Sequence, residues 1–191
     1  MAEWKKYLTH VLPEVMGCPV PLAERAVHEA AREFCERTWI WQETVDVETE
    51  KGEAEIFVQI PRGARLVAVR YLLCEGQKRE PSDQLIIRSQ RRSPVQSESP
   101  QGESSEFQAR AVLKPAEDAG SGPDFLFNDH GEAIARGALN RLQLMAGKTW
   151  SNTQAALMNK ALFDQAIARE KIRLAKGYTG RSLTVRHRRF A

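Results

Sequence analysis

Cysteine and histidine are scarce here, and their spacing removes several chemistries at once. The chain holds three cysteines, Cys18, Cys35 and Cys74, an odd number with no C-x-x-C pair. A disulfide framework and a structural zinc site are therefore not expected, and a reducing compartment is. His10, His28, His130 and His187 are scattered along the chain, and none has another histidine one helical turn away to share a metal. Long apolar runs are missing too. No stretch approaches the ~20 apolar residues of a membrane span. The opening Met1-Ala-Glu-Trp-Lys-Lys lacks the apolar core of a secretory signal. The expectation is a protein made in a cytoplasm and not inserted in a membrane.

Catalytic motifs are equally sparse. No G-x-S-x-G elbow occurs, and Gly131 and Gly137 do not form a dinucleotide fingerprint. Gly147-Lys148-Thr149 resembles the end of a phosphate-binding loop. That pattern needs a glycine at 142, where Leu142 stands, and its flanks read as helix to helix instead of strand to helix. A glycine stop followed by a short turn is the simpler reading. Asp46, Glu48 and Glu50 share one side of a regular strand. Acid–base pairs need carboxylates in unlike surroundings, and nothing apolar separates these three. They read as a solvated face, or as one that discourages stray strand pairing. The chain reads as not an enzyme, with no catalytic residue, cofactor or metal assigned.

What is present is globular material. In 191 residues, 42% are hydrophobic and 28% charged, enough for one domain, or one domain with an insertion. The net charge of +3 is unevenly placed: Lys176 to Ala191 holds five Lys/Arg and no Asp or Glu, leaving −2 for the remainder. A local basic end suggests an interaction tail.

Along the chain, residues 3–9 suggest a short helix carrying Trp4, Tyr7 and Leu8, stopped by Pro13. A helix over about 21–38 places Leu22, Ala26, Val27, Ala30, Ala31, Phe34 and Cys35 at helical spacing. The period then falls to two: runs at 44–48 and 55–60 around Lys51-Gly52 predict a hairpin, and 66–72 a third strand. Pro61-Arg62-Gly63 is a turn signal. Pro81-Ser82-Asp83 could cap a short helix holding Leu85, Ile86 and Ile87. Residues 89–105 are polar and read as an exposed loop. Phe107 to Leu113 alternates as a return strand. Asp129 and Glu132 resemble an N-cap pair for a helix to about Ala146, with Ile134, Ala138, Leu139, Leu142 and Met145 on one face. Ser151 or Asn152 caps a last helix, whose apolar positions are Ala155, Met158, Leu162, Ala166, Ile167 and Leu174.

The expected fold is mainly α: an antiparallel helical bundle with an inserted β-rich subdomain and an extended C-terminal arm. Bundle helices fill 1–40, the β-rich insertion 41–115 with its polar loop 89–105, further bundle helices 116–177, and the basic arm 178–191. Phe34, Gly137, Leu142 and Trp150 are candidates for helix packing or a subunit interface. Gly137 sits inside a helix, where it costs ~1 kcal/mol relative to alanine. Its benefit would be close approach, either to the first long helix or to a neighbouring subunit. Trp150 either fixes the hairpin angle or anchors another subunit. In the arm, Leu183, Val185 and Phe190 offer apolar anchors, and Arg181, Arg186, Arg188 and Arg189 can pair with carboxylates or phosphates. Such a tail suits strand addition or groove docking on a partner. The alternative is a nucleic-acid-binding helical module that uses the same tail.

Four stretches carry a resemblance: Val11-Leu-Pro-Glu-Val-Met-Gly-Cys-Pro leading to Ala30-Ala-Arg-Glu-Phe-Cys-Glu-Arg-Thr-Trp39; Ala111-Val-Leu-Lys-Pro115; Ala133-Ile-Ala-Arg-Gly-Ala-Leu-Asn-Arg-Leu142 with Gly147-Lys-Thr-Trp150; and Val185-Arg-His-Arg-Arg-Phe190. Together they resemble the head-to-tail adaptor, or gatekeeper, proteins of tailed bacteriophages, mainly the short-tailed ones. Residues 76–105 are shorter and more polar than that pattern. The resemblance implies a homo-oligomeric ring, commonly of twelve copies, in the virion neck beneath the portal protein. Such a ring extends the DNA channel without reading sequence and offers a platform for a tail or nozzle protein. It also implies that the arm, Arg181 through Phe190, docks on the portal.

Overall fold

The computed structural model describes residues 1–49, 55–74, 77–79, 86–91 and 107–176. The fold is α+β, which corrects the expectation of a mainly α bundle carrying a β excursion. Two features account for the difference. The sheet has more strands than the periodicity revealed, and its inner face shares one hydrophobic core with the helices.

Strand β1 (Ala2–Glu3) opens the chain, followed by a 3-10 turn (Trp4–Tyr7), a single-turn helix α1 (Leu8–Val11) and a second 3-10 turn (Leu12–Glu14). The helix expected over 3–9 is thus a chain of tight turns, and Pro13 lies inside the second one. Helix α2 (Val20–Thr38) has Pro19 as N-cap and Pro21 in its first turn, where a missing N–H leaves no helical bond unmade. Ala23, Ala26, Val27, Ala30, Ala31, Phe34 and Cys35 are buried along it. It ends at Trp39, which takes the left-handed conformation with φ 59° while its N–H reaches the Cys35 carbonyl at 2.9 Å.

Strands β2 (Gln42–Thr49) and β3 (Glu55–Ile60) pair antiparallel, with Val47 opposite Val58, as their period-two pattern suggests. Their turn, with Lys51 and Gly52, lies outside the described residues. At the next turn the Ala64 N–H meets the Pro61 carbonyl at 3.2 Å, and β4 (Ala64–Cys74) follows. Strand β5 (Gln77–Arg79) pairs back on β4. The short helix expected around Leu85–Ile87 is instead strand β6 (Ile86–Arg91), parallel to β3 from Glu55–Ile86 to Ile60–Arg91. Consecutive β-branched Ile86 and Ile87 suit a ladder, and tertiary pairing overrides a local capping signal. That signal, Pro81-Ser82-Asp83, lies outside the described residues. So does the polar loop from 92 to 105, whereas 89–91 belong to β6.

Strand β7 (Phe107–Pro115) lies between β4 and β2, and the sheet runs β5-β4-β7-β2-β3-β6. Register shifts between Leu66 and Ala68 and between Val69 and Tyr71 add bulges to β4, which bend a strand and increase its twist. Val45, Val47, Ala109, Ala111 and Leu113 are buried toward the helices. Thr44, Asp46 and Gln108 are exposed, the one-faced arrangement of an antiparallel sheet against a core.

A two-residue strand β8 (Ser121–Gly122) pairs with β1. The Trp4 indole covers Gly122 and donates from Nε1 to the Ala119 carbonyl at 2.6 Å. Helix α3 (Asp124–Gln143) has Pro123 as its N-cap, six residues before the expected Asp129 cap. Asp124 in its first turn suits the helix dipole and also holds the Met1 ammonium at 2.6 Å. Helix α4 (Thr153–Lys176) is capped by Asn152, whose Oδ1 accepts the Ala155 N–H at 3.0 Å.

Helix α2 packs between β7 and α3, and α4 covers α3. Polar ties hold α2 to the end of the sheet: Lys114 Nζ to Glu36 at 2.7 Å, Arg32 to Glu117 at 3.0 Å, and His28 Nε2 to the Ala116 carbonyl at 2.8 Å. Tyr7, Val27, Phe34, Val58, Leu113, Ile134, Leu142 and Ile167 belong to one continuous core. Each such side chain stabilises the fold by about 1.5–3 kcal/mol when fully buried.

Candidate partner interface

Among the described residues, four of the nine large hydrophobic side chains left exposed lie on helix α4. Its inner face, Ala156, Asn159, Phe163, Ile167 and Glu170, is buried against α3 and α2. Two of those five residues are polar, and they are held differently. Asn159 donates from Nδ2 to Gln143 Oε1 at 2.9 Å and accepts at Oδ1 from Arg136 at 3.1 Å. Asn140 donates to the Ala156 carbonyl at 2.9 Å. Glu170 Oε2 lies 3.3 Å from Arg173 Nε, an ion pair without a hydrogen bond. The hydrogen bonds of Asn159 avoid the desolvation cost of an orphaned buried amide.

A charged network ties α4 to the other helices. Arg37 reaches Glu33 at 2.8 Å and Asp164 at 2.7 Å, Lys160 reaches Asp164 at 3.1 Å, and Arg141 also binds Glu33. Partial burial alone raises the pKa of Glu33 and Asp164. The hydrogen bonds from Arg37 and Arg141 to Glu33, and from Arg37 and Lys160 to Asp164, outweigh it and hold both below the ordinary carboxylate range.

Between α3 and α4 runs a groove of about 270 Å³, lined by Asp129, His130, Glu132, Arg136, Arg169 and Glu170 among others. His130 is buried with its ring centroid 5.2 Å from that of Phe34. Burial lowers its pKa more than the neighbouring Glu170 and Asp129 raise it, so the neutral imidazole is favoured.

The outer face of α4 carries large apolar side chains among its polar ones. Leu157, Met158 and Ile172 are 60%, 67% and 53% exposed, with Leu162 also exposed. Ala161 and Ala168 are exposed between them, and Ala175 just beyond. Of the apolar stripe expected from the sequence, Met158 and Leu162 point to solvent while Ile167 is buried, and the buried face also contains Ala156 and Phe163, which that stripe omits. The helix is apolar on both sides, so 3.6-residue spacing fits either face, and the polar Asn159 and Glu170 disguise the inner one.

The other candidates fall in different places. Phe34 and Leu142 are fully buried in this chain's own core. Gly137 faces α2 and α4: a Cβ there would lie 3.0 Å from Ala30 Cβ and 2.9 Å from Phe163 Cε2. Trp150 is half-buried against the core, and its Nε1 has no hydrogen-bond partner. Gly147, Lys148 and Thr149 are exposed in the α3–α4 turn, without the strand-to-helix setting of a phosphate loop. Arg181, Leu183, Val185, Arg186, Arg188, Arg189 and Phe190 lie outside the described residues. Among the described residues no helix is long and apolar enough to cross a membrane.

Comparison with protein-family models and with curated proteins gives no match for this chain.

Proposed function

We propose that this chain is a structural assembly subunit, a head-to-tail adaptor of a tailed bacteriophage of the short-tailed type. In this reading several copies, twelve in the family it resembles, form a ring in the virion neck beneath the portal protein. The ring extends the DNA channel and gives a tail or nozzle protein its platform. The arm from Arg181 to Phe190 docks on the portal, and its ordering cost disfavours rings formed away from it.

The observation that carries an assembly role is α4. A helix with large apolar side chains on its solvent side, in addition to a buried inner face, is suited to the interior of a complex. The motif likeness supports the phage assignment, and the basic composition of 177–191 supports a docking arm. The test mixes the full chain with purified portal protein and images the complex by electron microscopy. A ring stacked on the portal is expected. The variant lacking 178–191 should keep its far-ultraviolet circular dichroism and lose portal binding. Normal docking by that variant overturns the arm assignment. Salt-sensitive DNA binding without portal binding favours the nucleic-acid-binding reading instead.

A further inference from the structure

We propose that the groove between α3 and α4 takes a small organic cation, an ammonium or guanidinium group on a short apolar stem, and that His130 accepts one of its hydrogen bonds. The inference goes beyond the adaptor reading and does not depend on it.

The floor of the groove comes first. His130 is only 5% exposed and lines the groove. Among the described residues its ring makes no hydrogen bond, yet neither ring nitrogen is sealed from solvent. Buried polar groups are ordinarily bonded. The small open part of this imidazole therefore faces the groove, and a neutral ring offers one acceptor nitrogen there. Beside it Glu170 is buried, and its Oε2 meets Arg173 as an ion pair without a hydrogen bond.

The charges choose the sign of the occupant. Asp129, Glu132 and Glu170 line the groove against Arg136 and Arg169, three carboxylates to two guanidiniums. The excess of one negative charge persists when their partners are added: Glu14, 3.0 Å from Arg136, and Arg173 beside Glu170. Close to the imidazole the excess has the same sign. Glu170 and Asp129 act on the ring as negative charges, and Arg173 as a positive one. A carboxylate or phosphate laid there would meet two carboxylates. A cation meets them as partners, with the imidazole nitrogen as a further acceptor. Among the described residues no three His, Cys, Asp or Glu side chains converge as a metal site, which leaves an organic cation.

Size and walls choose its build. The groove holds about 270 Å³, short of the ~300–1,000 Å³ of drug-sized ligand sites. Ala133, Leu162 and Ala166 give it an apolar wall. A few methylenes along that wall with a charged head at the floor describe a lysine or arginine side chain, or a free alkyl amine.

The test follows the histidine ring signals of the full chain by NMR, with that of His130 identified through His130→Asn. Butylguanidinium should shift the His130 signal saturably and bind at least about tenfold more tightly than butanol or butyrate. Glu170→Gln, close in shape, should weaken that binding at least about tenfold. Asp129→Asn, at an exposed position, should weaken it as well, and it keeps the test open where burial makes Glu170→Gln unstable. Arg169→Ala should leave binding unchanged or tighten it. Butyrate binding more tightly than butylguanidinium overturns the proposal and assigns the groove to an anion. So does a His130 signal that butylguanidinium leaves in place, or an affinity that both carboxylate variants keep. N-acetylarginine amide binding as tightly as butylguanidinium supports the site as one for a partner's side chain, and weaker binding of the amide supports it as one for a free amine. Portal docking is a separate measurement, so either result leaves the adaptor reading to its own test.

Discussion

Phe163 of α4 presses its ring edge against the bare backbone of Gly137 in α3, so closely that a methyl group at 137 would stand 2.9 Å from Phe163 Cε2. Ala30 of α2 closes the other side at 3.0 Å. One position thus sets how closely all three long helices approach.

Gly137→Ala brings two opposed effects. It gains ~1 kcal/mol of helix propensity and loses ~1–3 kcal/mol to overpacking. Because the Ala30 methyl has no rotamer by which to yield, the clash wins, and a net destabilisation of about 1 kcal/mol is expected in urea titration. In a Phe163→Leu background the same change should cost less. An unchanged cost in that background would mean that Phe163 is not what the methyl meets.

Gly122 holds a similar place under Trp4. A Cβ there would lie 2.7 Å from the indole, and the ring can escape only by giving up its hydrogen bond to the Ala119 carbonyl. Gly122→Ala should cost about 2 kcal/mol, the scale of an overpacked contact plus one lost hydrogen bond. An unchanged thermal midpoint would show that the indole moves freely.

Trp39 adopts the left-handed conformation at φ 59° and is 42% exposed. A β-carbon costs roughly 1 kcal/mol there, and glycine removes that cost. Trp39→Gly should therefore leave the protein as stable or raise its stability by up to about 1 kcal/mol. A clear loss would assign the indole a packing role that outweighs the backbone strain.

Acid should weaken the fold in two stages. Burial lowers the pKa of His28, against the opposing bond to the Ala116 carbonyl, and that of His130. Below the ordinary 6.5 the unfolded chain takes up protons that the native one refuses, so stability falls as pH drops from 6.5 toward the lowered values. Glu33 and Asp164 act further down. Their contribution is complete above the ordinary 4.5 and 3.8 and is lost as pH falls through their depressed values. The double variant His28→Asn, His130→Asn should flatten the first stage alone, and Glu33→Gln, Asp164→Asn the second, as read from urea midpoints across pH.

Long, strongly patterned elements were legible in the sequence. Helix α2 lies within a residue of its expected start, because its alanine stripe faces one way and its charges the other. Strands β2, β3, β4 and β7 all stand where the period falls to two. What escaped notice was decided by distant partners. Strand β6 exists because β3 offers it a parallel edge, and β1 because Gly122 leaves room for Trp4. The site was less legible than the fold. The apolar residues of α4 were visible, but with apolar side chains around most of its circumference no period could tell the inner face from the outer.

The place of β7 in the sheet has a consequence for how the chain comes to be folded. It is the last strand of the sheet to be synthesised, yet it fills the slot between β4 and β2. Until residues 107–115 emerge from the ribosome, β4 with β5 and the β2–β3–β6 group are two fragments with raw edges facing each other. Closure then demands contacts far apart in sequence, the slow kind. Nascent chains stalled before residue 107 should therefore be the form that chaperones hold and that aggregates most readily.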